Sequence, residues 1–327
     1  MTGRVKKRRV ALPPLCTFAL RLVTEAAARA AYDWIGRGDQ KQGEEAAARA
    51  MRVSLNHLPI DGVIVIGDGE SGVATDLYNG EQIGHPRHKP KFDIAVDPVE
   101  GISFLARGMA NAMAVVAMAP RGAMFQPGPA FYMEKFVGPP EIKGKIDPAL
   151  PAAEKIALLS RKLKKPVADI SVFVLDKPRH RELVDQIRGA GARVVLYPAG
   201  DIAGAVMAAT PGSGIDAMMG TGGTAEGMLA ACAIRAMGAE FQGRIDPQLE
   251  TEKRAVLAAG MDTTRWHSVD ELIASDQVFF CATGITPGLL LGGVERTRTQ
   301  ERTETLMISG PDGERQLLTT HHHKGGA

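Results

Sequence analysis

The sequence predicts an α/β protein, and three observations lead to this fold class. The chain has 327 residues, 45% of them hydrophobic, so it can bury a large core as two domains or as one large α/β unit. From residue 170 onward, short apolar strand patterns alternate with helical patterns, which is typical of a doubly wound sheet. Earlier in the chain, the apolar centre of 92–101 predicts a buried strand that stops at an acidic turn. Ligands of open α/β sheets gather at the carboxyl ends of strands, so we expect the functional site there.

Two helices and three strands are predicted in the first half of the chain. The segment 17–35 is rich in alanine and carries apolar residues at helical spacing, and a glycine-containing cluster at 36–39 ends it. A second helix is predicted at 44–56. The strands are predicted at 60–66, in the centre of 92–101, and at 111–119.

The second half of the chain shows the alternation most clearly. The predicted strands are 170–175, 193–197 and 215–219, and the predicted helices between and after them are 180–190, 202–209 and 224–237. Two late strands are predicted within 278–282 and 302–319, the second with a turn at 310–313.

Composition suggests a domain boundary in the lysine- and proline-containing segment 161–166. We therefore predict an N-terminal α/β half at 15–165 and a doubly wound C-terminal half at 166–320. Residues 1–14 are predicted to form a basic disordered arm. Residues 321–327 begin with three adjacent histidines and are predicted to form a mobile tail.

Charge and cysteine content exclude several functional classes. Lysine and arginine (39) barely exceed aspartate and glutamate (37), so we expect no nucleic-acid partner. No apolar stretch has the length needed to cross a bilayer, so we expect no membrane partner. The three cysteines are far apart and in no metal-binding spacing, which favours reduced thiols and a cytoplasmic location.

Carboxylates recur at the ends of predicted strands and helices. Because hard divalent cations prefer oxygen ligands and no histidine or cysteine spacing indicates zinc, the pattern favours Mg²⁺ or Mn²⁺. Taken alone, the turn after the central strand could equally be a solvated Asp-Pro turn. The acidic residues in question are Glu44, Asp68, Glu70, Asp97, Glu100 and Glu226.

Two further segments could bind phosphate. The glycine-rich turn 220–227 leads into a helix, and the free N–H groups at a helix N-terminus can bind phosphate oxygens. It lacks the lysine and hydroxyl of a P-loop and could also be an ordinary helix entry. Lys177 and Arg179 follow a predicted strand and could hold a second phosphate, although a lone basic turn is usually solvated surface.

A dinucleotide site is the rival interpretation of 67–72. Gly67, Gly69 and Gly72 match the glycine spacing of that fingerprint after a strand. Against it, Asp68 and Glu70 would repel a pyrophosphate, and Asn79-Gly80 interrupts the segment before a helix can form.

The order of these motifs resembles the class II fructose-1,6-bisphosphatase family, which in some bacteria also accepts sedoheptulose 1,7-bisphosphate. The resemblance extends from about residue 21 to residue 319. Its motifs are the segments 36–39, 66–70, 77–81, 95–101, 132–135, 177–180, 222–227 and 282–286.

The resemblance implies the layered αβαβα sandwich of the lithium-sensitive sugar phosphatases and a homo-oligomer, dimer or tetramer. It also implies metal-dependent removal of the 1-phosphate of a sugar bisphosphate in gluconeogenesis and central carbon metabolism, with Mg²⁺ or Mn²⁺ as cofactor. The N-terminal half would then supply most of the metal-binding carboxylates, and the C-terminal half most of the substrate-binding residues.

Residue by residue, the resemblance implies three sets of site residues. The implied metal ligands are Glu44, Asp68, Asp97, Glu100 and Glu226. The implied catalytic residues are Asp68, Glu70, Glu100 and Ser103. The implied substrate-binding residues are Tyr132, Lys177, Arg179, Gly200, Asp201 and Gly223.

Four positions depart from the family pattern. Ile102 stands where the family has a threonine that helps to orient the attacking water, and its apolar side chain cannot form that hydrogen bond. Gln40 replaces a lysine, and Gly72 and Ala199 replace aspartates. The alternative function is therefore a catalytically impaired homologue that binds a sugar phosphate as a regulatory or structural subunit.

Overall fold

The computed structural model describes residues 14–67, 76–88 and 90–324. The predicted site residues Asp68 and Glu70, the departure at Gly72 and nearly all of the predicted basic arm lie outside the described residues.

Nine α-helices and fourteen strands are formed within the described residues. The helices are α1 (Pro14–Ala31), α2 (Gln40–Asn56), α3 (Ile102–Arg107), α4 (Ala152–Leu163), α5 (Arg181–Gly189), α6 (Asp201–Ala208), α7 (Thr224–Met237), α8 (Glu250–Ala258) and α9 (Val269–Leu272). The strands are β1 (Asp61–Ile66), β2 (Gln82–Gly84), β3 (Lys91–Glu100), β4 (Met113–Pro120), β5 (Tyr132–Gly138), β6 (Ser171–Leu175), β7 (Arg193–Tyr197), β8 (Ala217–Gly223), β9 (Glu240–Ile245), β10 (Trp266–Ser268), β11 (Phe279–Gly284), β12 (Glu295–Arg296), β13 (Gln300–Ser309) and β14 (Glu314–His323).

The strands form two sheets. The first sheet has the order β12-β13-β11-β4-β3-β1-β2, with β14 paired to β13. The second has the order β10-β9-β5-β8-β6-β7. Within the second sheet, β6 pairs in parallel with β7 and β8, whereas β5 pairs antiparallel with β8 and β9. In the described part of the second sheet, the predicted parallel arrangement is therefore limited to β7-β6-β8.

The two sheets and the helices stack in five layers. Side chains alternate between the faces of a strand, so each buried strand feeds two hydrophobic clusters. In β4, for example, Val116 and Met118 pack with α1 and α2, whereas Val115 and Ala117 pack with α6 and α7. The second sheet closes the other side of α6 and α7, and its outer face packs against α4 and α5. This α-β-α-β-α order is the layered sandwich predicted for the fold.

Membership of the sheets does not follow the predicted boundary at residue 165. Strand β5 precedes that boundary but lies in the second sheet, and β11 to β14 follow it but lie in the first. The segment 161–166 also begins inside α4 instead of in a linker. Pairing between strands that are distant in sequence decides which strands belong to each sheet, and composition does not reveal that pairing.

The predicted tail is partly ordered. Strand β14 runs through the three histidines, and His323 pairs with Gln300 of β13. Thr320 donates to the buried Glu25 of α1 (2.7 Å), which ties the end of β14 to this helix. Within the described residues, no helix has both the length and the apolar character required to cross a membrane.

Candidate metal centre

Three carboxylates meet where β3 ends and α7 begins. Asp97, Glu100 and Glu226 each offer an oxygen, and the three oxygens all lie within 4.8 Å of one another. Glu100 is buried and the other two are partly buried. The group joins residues more than 120 positions apart in the sequence, so it is a product of the fold and not of a local turn.

An irregularity at the end of β3 directs two of the acids. The pairing of β3 with β4 shifts register between Asp97 and Glu100, as at a β-bulge, which re-aims side chains at a strand end. Asp97 Oδ1 accepts the backbone N–H of Val99 at 3.0 Å and holds the turn. Gly101 then adopts φ 83°, a left-handed conformation that favours glycine, and α3 begins.

Glycines at the end of β8 make room for two other carboxylates. A β-carbon on Gly223 would lie 1.8 Å from Glu226 Oε2, and one on Gly222 would lie 1.9 Å from Asp201 Oδ2. Because neither distance is possible, these carboxylates occupy the space that a side chain would fill. Gly223 was predicted to bind substrate, and the structure gives it this steric role.

The electrostatic environment of the cluster is strongly anionic. Burial raises the pKa of Glu100 well above its ordinary value of 4.5, and the charges of Asp97, Glu226 and Asp201 raise it further. Burial, followed by the charge of Asp201, also raises the pKa of Glu226. Lys135 opposes both shifts. Among the described residues, the ammonium of Lys135 thus lies close to four carboxylates, and the arrangement favours additional cations.

The lysine is fixed by an ion pair. Lys135 lies on β5 and is 1% exposed, and its ammonium donates to Asp201 Oδ2 at the start of α6. A β-carbon on Gly227 would lie 2.9 Å from Lys135 Cε, so α7 also approaches this side chain closely. The pair is enclosed by β8 and by both helices of the central layer.

A positively charged ledge borders the acidic cluster. Arg179 lies in the turn between β6 and α5, and its guanidinium donates from Nε (3.0 Å) and Nη2 (2.8 Å) to the carbonyl of Thr221. The guanidinium carbon is 5.1 Å from the centre of the Tyr132 ring. Tyr132 pairs with Gly223, which lies against Glu226. The predicted substrate residues Arg179, Tyr132 and Gly223 therefore form a continuous surface beside the acids.

A buried histidine locks this ledge to β8. His180 Nε2 accepts the N–H of Thr221 at 2.8 Å, so Nδ1 carries the proton and donates to the carbonyl of Leu175 at 2.7 Å. Only a neutral ring can make both bonds. Burial lowers the pKa of His180 below its ordinary value of 6.5, which favours that form.

Gly200 and Asp201 lie together at the start of α6. Gly200 has φ 102°, and a β-carbon there would lie 2.4 Å from Nδ2 of the buried Asn111. The loop before α6 is therefore packed against the segment that connects α3 with β4. Lys177, also predicted to bind substrate, opens the turn that contains Arg179.

Two of the described candidates for metal binding or catalysis, Glu44 and Ser103, remain outside the acidic group. Glu44 is partly buried in the second turn of α2 and does not join the three oxygens within 4.8 Å. Ser103 lies in the first turn of α3, next to Ile102. The Cδ1 atom of Ile102 would lie 3.6 Å from a β-carbon on Gly43, the neighbour of Glu44, so Ile102 packs toward α2.

Sequence reasoning missed Lys135 and His180 as site residues, although both lie in motifs that carried the resemblance. A signal for Lys135 was present, because strand alternation places it on the same face as Met133 and Val137, both of which are buried in the central layer. A lysine at such a position requires a buried partner. Its partner is 66 residues away, and sequence spacing does not reveal it.

The residues present fit a divalent cation. The donors are carboxylate oxygens, which suit Mg²⁺ and Mn²⁺, and burial followed by the charges of three neighbouring carboxylates raises the pKa of Glu100. Asp97, Glu100 and Glu226 would hold the ion or ions.

The chain is similar to known proteins over most of its length. The model of the family described as "Bacterial fructose-1,6-bisphosphatase, glpX-encoded" matches residues 15–322. A Synechococcus protein (strain JA-3-3Ab) named D-fructose 1,6-bisphosphatase class 2/sedoheptulose 1,7-bisphosphatase is 38% identical over 93% of this chain and 94% of its own. A Haemophilus influenzae protein named fructose-1,6-bisphosphatase class 2 is 39% identical over 92% of this chain and 94% of its own. The chain therefore belongs to the family of bacterial, glpX-encoded fructose-1,6-bisphosphatases.

Proposed function

We propose that this protein is a metal-dependent phosphatase that hydrolyses the 1-phosphate of fructose 1,6-bisphosphate, with sedoheptulose 1,7-bisphosphate as a second candidate substrate. The observation that carries the proposal is the group formed by Asp97, Glu100 and Glu226 beside the surface that contains Arg179 and Tyr132. The names of the relatives indicate the sugar class.

Mg²⁺ or Mn²⁺, when bound, would polarise the phosphoryl group and lower the pKa of an attacking water. Asp97, Glu100 and Glu226 would hold it at the strand end. Asp68 and Glu70, which lie outside the described residues, are proposed as catalytic residues, and Asp68 also as a metal ligand. Glu44 of α2 is proposed as a further metal ligand. Ser103 is the proposed hydroxyl beside the attacking water.

Arg179 and Lys177 are proposed to bind the phosphate that stays on the sugar. Arg179 is suited to this role because two of its nitrogens already contact Thr221, so little side-chain entropy is left to lose on binding. Tyr132 would pack against the sugar. The loop at Gly200 and Asp201 would accept hydrogen bonds from the sugar hydroxyl groups.

The proposal includes a cytoplasmic homo-oligomer. Cys232 and Cys281 are buried free thiols, as expected in a reducing compartment. Burial raises the pKa of Cys281 to about 12, so this thiol stays protonated and unreactive.

Phosphate release from fructose 1,6-bisphosphate in the presence of Mn²⁺ tests the proposal. The wild type is expected to release phosphate, and Glu226→Gln to lose at least about a hundredfold in rate because a ligand charge is removed. Glu240→Gln is the matched control, since Glu240 is a buried glutamate on β9 outside the group.

Saturable sugar binding without turnover by the wild type would contradict the phosphatase proposal. It would instead favour the binding-subunit alternative.

A further inference from the structure

Asp201 has the charge and the proximity of a metal ligand but does not join the metal group. Its charge acts on both Glu100 and Glu226. Nevertheless, the oxygens that lie within 4.8 Å of one another belong only to Asp97, Glu100 and Glu226. The structure shows one direct contact that can hold the carboxylate of Asp201 apart from this group.

That contact is the ion pair with Lys135. The ammonium is 1% exposed and donates to Asp201 Oδ2, while the missing β-carbon of Gly222 leaves space for the same oxygen. An ion pair this deeply buried is held firmly, because separating it would leave two uncompensated charges in the interior. Asp201 is therefore fixed in one orientation by a cation on the neighbouring strand.

We propose that Lys135 is a positioning residue that keeps Asp201 out of the cation cluster and reserves this carboxylate for the sugar bisphosphate. The proposal rests on the proposed function for the identity of the ligand. The part of the proposal that concerns metal binding does not depend on the identity of the sugar, because it is argued from the position of Asp201. Lys135 also sets the charge of the pocket, since its ammonium opposes the charges of Asp97, Glu226 and Asp201 on Glu100.

Mn²⁺ affinity, measured by electron paramagnetic resonance titration of the metal-free protein, separates this role from a general structural role. Lys135→Met removes a repelling charge and frees Asp201 to ligate, so Mn²⁺ should bind about tenfold more tightly or better. The KM for the bisphosphate should rise, because Asp201 is then diverted from the sugar. Damage to the fold would weaken both kinds of binding, so tighter Mn²⁺ binding is the distinguishing result.

Lys155→Met is the matched control. Lys155 is also buried, at 7% exposure, but its ammonium donates to the carbonyl of Pro148 near α4, on the far side of the second sheet. This substitution should leave Mn²⁺ affinity unchanged even if it lowers stability. Unchanged or weaker Mn²⁺ binding by folded Lys135→Met would overturn the proposal.

The double variant Lys135→Met/Asp201→Asn decides the matter if the single variant fails to fold. Neutralising both partners of a buried ion pair is tolerated better than removing one. Mn²⁺ affinity close to that of the wild type supports the proposal, because the removed charges cancel. A loss of about tenfold or more would instead make Asp201 a metal ligand and overturn it. These readouts need no turnover, so the proposed phosphatase activity can fail independently.

Discussion

At the scale of single residues, the missing β-carbon of Gly223 decides where Glu226 can lie. Gly223→Ala would place a carbon 1.8 Å from Glu226 Oε2 and displace that carboxylate from the cluster. The φ of Gly223 is −63°, so alanine meets no backbone strain and the effect is purely steric. We expect Mn²⁺ affinity to fall by about tenfold or more, as measured by titration.

Gly189→Ala is the control for this prediction, because a β-carbon on Gly189 in α5 would meet nothing within 4 Å. Equal Mn²⁺ affinities for the two variants would contradict the steric role of Gly223.

Ile102 is the departure nearest the acidic turn, since α3 begins with it directly after Gly101. Ile102→Thr introduces the hydroxyl that the family pattern has at this position. One hydrogen bond in a transition state is worth ~10²–10³ in rate, so we expect kcat to rise by about tenfold or more. Steady-state phosphate release measures the change.

Ile102→Val controls for the loss of volume, since valine has the branched shape of threonine without its hydroxyl. A similar kcat for the valine and threonine variants would show that a hydroxyl at this position does not orient the water.

The individual acidic residues of the site could be predicted from the sequence, but the contacts that bring them together could not. Asp97 and Glu100 are close in sequence and share a turn, so their proximity was predictable from that turn. Their approach to Glu226 depends on the contact of α7 with β3 across the central layer, which no local pattern specifies. No local pattern specifies the contact of Lys135 with Asp201 either, although this contact accounts for a buried charge on β5.

At the scale of elements, the short turn between β6 and α5 depends on the protonation of His180. The pKa of His180 is lowered in the folded protein, so its stabilising contribution is complete above the ordinary value of 6.5. That contribution is lost as the pH falls below 6.5 toward the lowered value, since protonation removes the acceptor for the Thr221 N–H. Urea unfolding of metal-free wild type and His180→Gln should therefore differ by about 1 kcal/mol or more at pH 7.5 and by less at pH 5.5.

Wild type and His180→Gln share the same carboxylates, so titration of these groups cancels in the difference between the two unfolding free energies. A gap in unfolding free energy that is the same at both pH values would exclude His180 as the titrating group.

Helices and strands with strong local patterns were predictable, and β5 was not. The predicted 193–197 coincides with β7, and the predicted 224–237 coincides with α7. In both elements the apolar pattern and the glycine or polar residues at the ends predict the same bounds. Strand β5 carries Glu134 and Lys135 in its centre, which breaks the apolar pattern. Arg244 and Asp201 neutralise these charges from distant positions, so the strand is stable only in the folded protein.

At the scale of the whole molecule, a cation held between β3 and α7 would connect the first sheet with the central helical layer. A ligand that binds only the folded state stabilises it by about 2.7 kcal/mol when present at a hundred times its Kd. Saturating Mn²⁺ is therefore expected to raise the Tm of the wild type by a few degrees, as measured by differential scanning calorimetry, and EDTA to reverse the rise.

Glu226→Gln should show little of this Mn²⁺-dependent rise in Tm. A rise as large as that of the wild type would place the stabilising ion elsewhere.

The layered architecture followed from the resemblance, but the composition of each sheet did not. Strands β11 to β14 return to the first sheet after the chain has completed the second, and β14 closes on α1 through Glu25 and Thr320. Such pairings join residues nearly 300 positions apart, where hydrophobic periodicity carries no information.

The central claim is that Asp97, Glu100 and Glu226 share bound cations. Anomalous diffraction at the manganese edge from crystals grown with Mn²⁺ tests it most directly. We expect a manganese peak within about 2.3 Å of oxygens from all three side chains, as for an oxygen-ligated divalent ion. A well-ordered cluster without manganese, or a peak bound only by other residues, would contradict the account.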